Sequence, residues 1–442
     1  MTLVIPDNFS QPVSHSPKMR YFWFVTLFVI AFSGLLKVPT FNFQHNEGDE
    51  IRFLFLTKNW LDTGRYTLRG SPLLNEPVYK YQADRALPVH PPLFPALLAP
   101  FIKYNAINKA VIASWLGHFL AILAVALIGR YLFLFYGLTA SAFSPLFWIP
   151  LLGIATDPIM TWVSGVLWID NLHAGLGVLA LALALIASQS TRHRLIYFFA
   201  GIILGLALLS KVTALIMVPL IVLAILICET DKQRRWQALL FGAIPALVLS
   251  LPWYLSLYFV MGEFIFPQLP PHIREMKQTL PPEEWQKIES LIHCQFCEVA
   301  GNRPWYYLLV KLPLVEPIVL LGISFSVFFF LSYAKIVEGF KKLHFLFPLF
   351  WSLFFILVGL VIHITIMRRM TAFVPSLYLM LFMLLIYSEK FAALKKYQNL
   401  LLLLGGMSIL YAAIGGGYFL FKGGYAEIFS MLELAGFINL WQ

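Results

Sequence analysis

Three observations predict an all-α integral membrane protein, a polytopic helical bundle. The first is composition: 60% of the 442 residues are hydrophobic and 12% are charged, with a mean hydropathy of +0.77. A soluble domain is about 45–50% apolar and about 25% charged. The second is the division of this apolar material into about eleven runs, each near the 17–25 residues that cross a bilayer as a helix. The third is the collection of Lys and Arg into short clusters between those runs. A water-soluble enzyme, a disordered chain and a nucleic-acid binder are all excluded. The formal charge of +10 therefore reads as membrane topology and not as an affinity for nucleic acid. Three cysteines are too few for a disulfide framework, and 16% aromatic content suits a protein whose surroundings are lipid and its interface.

Taken in order, the runs fall near 21–38, 106–136, 141–167, 171–188, 195–210, 212–228, 238–260, 305–331, 344–366, 371–388 and 398–420. The first, Tyr21 to Val38, is long for a signal-peptide core and lacks an A-x-A cleavage pattern, so it reads as an uncleaved anchor. Lys18 and Arg20 precede it, and basic clusters recur at Arg192/Arg194, Lys232/Arg234/Arg235, Lys335/Lys341/Lys342 and Lys390/Lys395/Lys396. The positive-inside rule puts all of these on one side. That is satisfied only if 195–228 is two short spans broken at Ser210-Lys211-Val212-Thr213, which leaves Lys211 on the outer side. The organisation expected is a tail over 1–20, a transmembrane domain over 21–420 with outer loops at 39–105 and 261–304, and a short tail over 421–442 with no soluble domain. Loops of that length are functional or disordered. The first carries Trp, Tyr, Pro and mixed charge, and reads as short interfacial helices.

Candidate chemistry gathers on the outer side. Asn46-Glu47-Gly48-Asp49-Glu50 sets three carboxylates about ten residues after the first span. It is read either as a solvated acidic turn or as a general base or metal ligand. Asp170, in Trp168-Ile169-Asp170-Asn171, falls on the same face by parity; an ionisable residue between apolar spans is by default a functional-site hypothesis. Asp157, before Pro158, competes with it but lies about two turns deeper by span arithmetic, unless the helix breaks at the proline, and is ranked below it. Lys211, Arg368 and Arg369 add cations to that face. Arg offers a bidentate fork to phosphate and Lys a point charge; lipid-headgroup anchoring is the alternative for the Arg pair. His90, held by Pro91-Pro92, is placed to bond a phosphate or a hydroxyl. His293-Cys294-x-x-Cys297 is half a zinc site and reads rather as a local disulfide or inert thiols, and Cys228 as apolar filler.

These pieces resemble the GT-C membrane glycosyltransferases that use polyprenyl-phosphate-linked sugars, the group that includes the protein O-mannosyltransferases and the lipid A aminoarabinose transferases. In family order over roughly 20–390 come Gly48-Asp49-Glu50 with Asn59-Trp60 and Gly64, then His90-Pro91-Pro92-Leu93-Phe94-Pro95 and Asp170. Gly205 through Lys211 follows, then Leu251-Pro252-Trp253-Tyr254 with Gly262 and Phe264. Last come Pro304-Trp305-Tyr306-Tyr307 with Leu312-Pro313, and Arg368-Arg369 ahead of Pro375. The resemblance implies a GT-C-type bundle and a polyprenyl-phosphate-linked sugar as donor. It implies a lipid, glycan or protein acceptor, and an outer-face site in a bacterial inner membrane. Asp49, Glu50 and Asp170 would be catalytic, with Asp49 and Asp170 as ligands if a divalent metal is used. Lys211, Arg368, Arg369 and His90 would bind the donor phosphate. For Lys211 two partners are open, the donor phosphate and Asp170, and the phosphate is favoured. The aminoarabinose relatives have Lys-Pro-Pro where this chain has His90-Pro91-Pro92. The rival reading is a lipid or sugar-lipid flippase or transporter, which explains the spans and the Arg pair but not the ordered motifs.

Overall fold

The computed structural model describes residues 17–43, 48–75, 90–136, 144–261, 281–283, 318, 350–354, 357, 367–390 and 395–422. Among them the regular elements are helices. α1 (Pro17–Lys37) buries Phe22, Val25 and Val29 at helical spacing while Phe24, Leu27, Phe28 and Leu35 stay exposed. A helix apolar on both faces has protein on one side and lipid on the other. It runs into a 3-10 turn, Val38–Asn42. The first loop then folds as two short helices, α2 (Gly48–Thr63) and α3 (Leu93–Lys103). They join through Phe53 and Phe94, whose rings meet edge to face at 5.0 Å.

The helices that follow are α4 (Ile112–Phe135), α5 (Pro145–Thr156) with α6 (Pro158–Ser164), α7 (Asp170–Ser188), α8 (His193–Ser210), α9 (Met217–Cys228) and α10 (Lys232–Met261). α11 (Val374–Lys390) and α12 (Gln398–Lys422) close the described chain. Seven helices among the described residues are long and apolar enough to cross a membrane, or eight if the bent pair counts as one span. The chain is an integral, multi-pass membrane protein. The runs expected at 305–331 and 344–366 fall almost wholly outside the described residues, as do the loop 261–304 and His293, Cys294 and Cys297.

Two expectations about breaks have clear outcomes. The run 141–167 is not one helix: α5 and α6 meet at 45° across Asp157, because Pro158 has no N–H to continue the ladder. The run 195–228 is interrupted at Lys211, which leaves α8 in an extended conformation before a 3-10 turn, Val212–Ile216, leads into α9.

Close helix contact holds the centre. A Cβ on Gly117 would overlap the Asn171 carbonyl, and one on Gly175 would overlap the Gly117 carbonyl, so α4 and α7 touch backbone to backbone. Gly201 makes the same kind of approach to Gly242, joining α8 to α10. Small residues at such crossings are how membrane helices gain packing without a hydrophobic drive. Among the described residues α11 is an interior helix, buried from Val374 through Ser388.

Candidate active site

α2 begins at Gly48, so Asp49 and Arg52 lie one turn apart on the same face. One guanidinium nitrogen of Arg52 stands 3.0 Å from the Asp49 carboxylate and donates to His90 Nε2, also at 3.0 Å. That bond needs His90 neutral. Burial drives its imidazole down to about 3, Arg52 pushes the same way, Asp49 opposes, Lys211 lowers it further and Asp170 opposes again. His90 thus feels both carboxylates and both cations of the site. Its position is fixed from above and below: Tyr66 Oη donates to the His90 carbonyl at 3.1 Å, and the ring packs edge on to Phe53 at 5.2 Å.

The second half of the site comes from the junctions α6–α7 and α8–α9. Asp170 opens α7 and is 3% exposed. Lys211 Nζ donates to its Oδ1 at 2.6 Å. Of the two partners open to Lys211 in the sequence, this is the carboxylate. One turn along, His173 stands with Nε2 3.3 Å from the Thr213 hydroxyl, bracing α7 against the segment that carries Lys211. Thr371 donates to the Asp170 carbonyl at 3.1 Å, which ties down the turn Met367–Ala372 holding Arg368 and Arg369. The side chains of those two arginines lie outside what is described.

Glu50 stands elsewhere than its neighbour. It is fully buried, and its carboxylate accepts the Leu167 backbone N–H at 2.9 Å. It faces into the protein and joins α2 to the loop ahead of Asp170. Asp157 is also fully buried, below the site, where its side chain caps α6 through Met160 N at 2.8 Å.

Among the described residues no three His, Cys, Asp or Glu side chains gather to hold a metal ion. Asp49 and Asp170 each face a cation instead, Arg52 and Lys211. In this arrangement the two carboxylates do not present a divalent-metal site of the oxygen-rich kind.

Arg52 and His173 are site residues that sequence reasoning passed over. Arg52 had a readable signal, its i+3 spacing from Asp49; His173 had only its i+3 spacing from Asp170.

The cluster occupies one end of the bundle. α7 runs from Asp170 to Ser188, about 28 Å at 1.5 Å per residue, and at its far end Arg234 donates to the Ser188 carbonyl at 3.2 Å. There too Gln237 accepts from His193 and Arg194, at 3.0 and 3.1 Å. The basic clusters of 192–194 and 232–235 therefore sit opposite the site.

No protein-family model matches the chain, and no curated protein matches it in sequence. Solved structures match in shape. The Archaeoglobus fulgidus oligosaccharyltransferase in complex with Zn and sulfate aligns over 90% of this chain and 53% of its own, with a TM-score of 0.56 at 17% identity. ArnT from Cupriavidus metallidurans, bound to undecaprenyl phosphate, aligns over 89% of this chain and 76% of its own, with a TM-score of 0.55 at 14% identity. The chain has the GT-C fold. The archaeal enzyme AglB, with an inhibitory peptide and a dolichol-phosphate bound, aligns at a TM-score of 0.53 and 16% identity over 92% of this chain and 56% of its own. The chain spans about half the length of the oligosaccharyltransferases it resembles.

Proposed function

We propose that the protein is a membrane glycosyltransferase that moves a sugar from a polyprenyl-phosphate donor to an acceptor hydroxyl. The observation that carries this is the site's alternation of carboxylate and cation, Asp49 with Arg52 and Asp170 with Lys211, around a neutral His90. The neighbours' ligands, a dolichol-phosphate and undecaprenyl phosphate, support a lipid-phosphate donor for this chain as well. With the basic clusters inside, the site opens on the outer face, which in a bacterium is the periplasmic side of the inner membrane.

Asp49 is the base. About a quarter of its side chain is exposed, unlike Asp170 and Glu50, so an incoming hydroxyl can reach it. As the acceptor oxygen bonds to the anomeric carbon its proton passes to the Asp49 carboxylate, and the bond from that carbon to the phosphate oxygen breaks. The polyprenyl phosphate leaves as an anion, and a single displacement inverts the anomeric centre. The leaving group needs positive charge more than a proton. Arg52 and Lys211 hold fixed cations where that charge grows, the arrangement that contributes most in such sites. Lys211 has three donors, so it can keep Asp170 and still reach a phosphate oxygen. Arg368 and Arg369, on a turn tethered to Asp170, are assigned to the same anion, and His90 offers its remaining ring nitrogen to the donor.

Mass analysis of lipid-linked sugars and glycans in cells with and without the gene tests this reading. A polyprenyl-phosphate sugar that accumulates, with its glycosylated product missing, is the expected result. Identical profiles would overturn it.

A further inference from the structure

We propose that Ser114, Asn171 and Thr371 are positioning residues of the reaction, which together seat the start of α7 so that Asp170 presents Lys211 to the donor at one place. The inference rests on the transferase reading.

α7 begins without a cap of its own. Its N-cap residue is Ile169, which makes no side-chain bond to the helix, and isoleucine is among the poorest caps. A helix end left in that state has unsecured N–H groups and frays. Yet this end carries Asp170, whose Oδ1 takes the Lys211 ammonium at 2.6 Å. A loose end would let that ammonium wander, and a misplacement of about 1 Å can cost about 10²-fold in rate.

Other elements supply what α7 lacks. Residues 167–171 are all buried, so their backbone must bond to protein and not to water. From α4 the Ser114 hydroxyl donates to the Trp168 carbonyl at 2.9 Å. From the turn Met367–Ala372 the Thr371 hydroxyl donates to the Asp170 carbonyl at 3.1 Å. Asn171 reaches back to α6, its amide donating to the Met160 carbonyl at 2.8 Å and to the Ser164 hydroxyl at 2.9 Å. A carbonyl can only accept, so the amide is fixed with its nitrogen towards α6. Gly117, one turn beyond Ser114 on the same face of α4, leaves room for the Asn171 carbonyl that a Cβ there would strike. Ser114, Asn171 and Thr371 are each 0% exposed.

The bonds thus fall before, on and after Asp170, and they come from three different elements. Apolar contacts would bury this stretch equally well; directed hydrogen bonds add a fixed orientation. Thr371 does more than that. It shares its turn with Arg368 and Arg369, so its bond also sets the spacing between that turn and the Asp170–Lys211 pair.

Four variants test this. Ser114→Ala and Thr371→Val each remove one hydroxyl with little change of shape, Thr371→Ser keeps the hydroxyl, and Asn171→Leu removes both amide donors at similar volume. Melting temperature, amide hydrogen exchange over 165–172, and kcat and donor KM for polyprenyl-phosphate sugars extracted from host membranes are measured on each. Ser114→Ala and Thr371→Val should each raise exchange about tenfold, the effect of one net hydrogen bond. Each should lower kcat about tenfold and leave donor KM unchanged. Thr371→Ser should match the parent, and Asn171→Leu should exceed the single-hydroxyl losses. Unchanged exchange in the hydroxyl variants overturns the proposal, because the bonds then do not hold the stretch. Raised exchange with parental kcat overturns it too, as does a Thr371→Ser protein as slow as Thr371→Val, or a loss that falls on donor KM alone. If Asn171→Leu fails to fold, the two hydroxyl variants decide. A parent that transfers no sugar from any such donor refutes the transferase reading instead, and exchange still reports whether the seat holds α7.

Discussion

Glu50 and Leu167 are 117 positions apart, yet the carboxylate of one accepts the backbone N–H of the other at 2.9 Å. This bond joins the helix bearing Asp49 to the loop leading into Asp170, so it governs the spacing of the two halves of the site. Glu50→Gln keeps an acceptor in place and should retain most of the transfer rate. Glu50→Ala leaves a buried N–H unsatisfied, a loss of about 1–3 kcal/mol, and should lower both melting temperature and kcat. Thermal melts and transfer assays on the two variants check this.

Asp49→Asn should fold and insert normally, because the side chain it alters is a quarter exposed and the amide still faces Arg52. Transfer should fall by about 10²–10⁴-fold, the usual contribution of a general base. A purified Asp49→Asn protein that transfers at the parental rate would remove Asp49 from the chemistry.

For Lys211 the structure supplies a partner that is almost fully buried. Lys211→Met should therefore destabilise the protein by about 3–5 kcal/mol, the range for leaving one member of a buried pair uncompensated. Adding Asp170→Asn should restore the melting temperature but not the transfer, which needs the cation for the leaving phosphate. A double variant that recovers both would show that the pair is only structural.

The His90 imidazole is held neutral, near a value of about 3, against an ordinary value of about 6.5 when unfolded. The unfolded chain thus binds the extra proton first, and stability is lost as pH falls from about 6.5 towards 3. His90→Gln, which does not titrate, should lower stability at neutral pH and flatten that acid limb. Melting temperatures of both proteins from pH 7 down to pH 4 measure the difference.

Much of this was legible in the chain. Lys211 could be located because the basic clusters share one side only if a break falls there, and parity put Asp170 at the same end. Asp49 and Glu50 look alike in sequence, and only burial separates the exposed carboxylate from the one turned into the protein. The ring of donors about Asp157 was not readable either. Tyr378 lies 221 positions away and Ser33 reaches the break from 122 positions off, contacts that no local pattern encodes. His118 looks like an ordinary polar residue of a span until the Ile154 carbonyl beside the break at Pro158 is considered.

The 3-10 turn after Lys211 has a bearing on bilayer thickness. A 3-10 segment rises about 2.0 Å per residue against 1.5 Å in an α-helix. Val212–Ile216 and Met217–Cys228 together therefore reach about 27–28 Å, close to the hydrocarbon depth of about 30 Å. As a plain α-helix the same 17 residues would stop about 2–3 Å shorter. The tighter winding lets a short segment match the lipid without tilting its lysine down among the acyl chains. Lys211 stands at one end of that length, paired with Asp170, and a thicker or thinner membrane would load the segment that carries it.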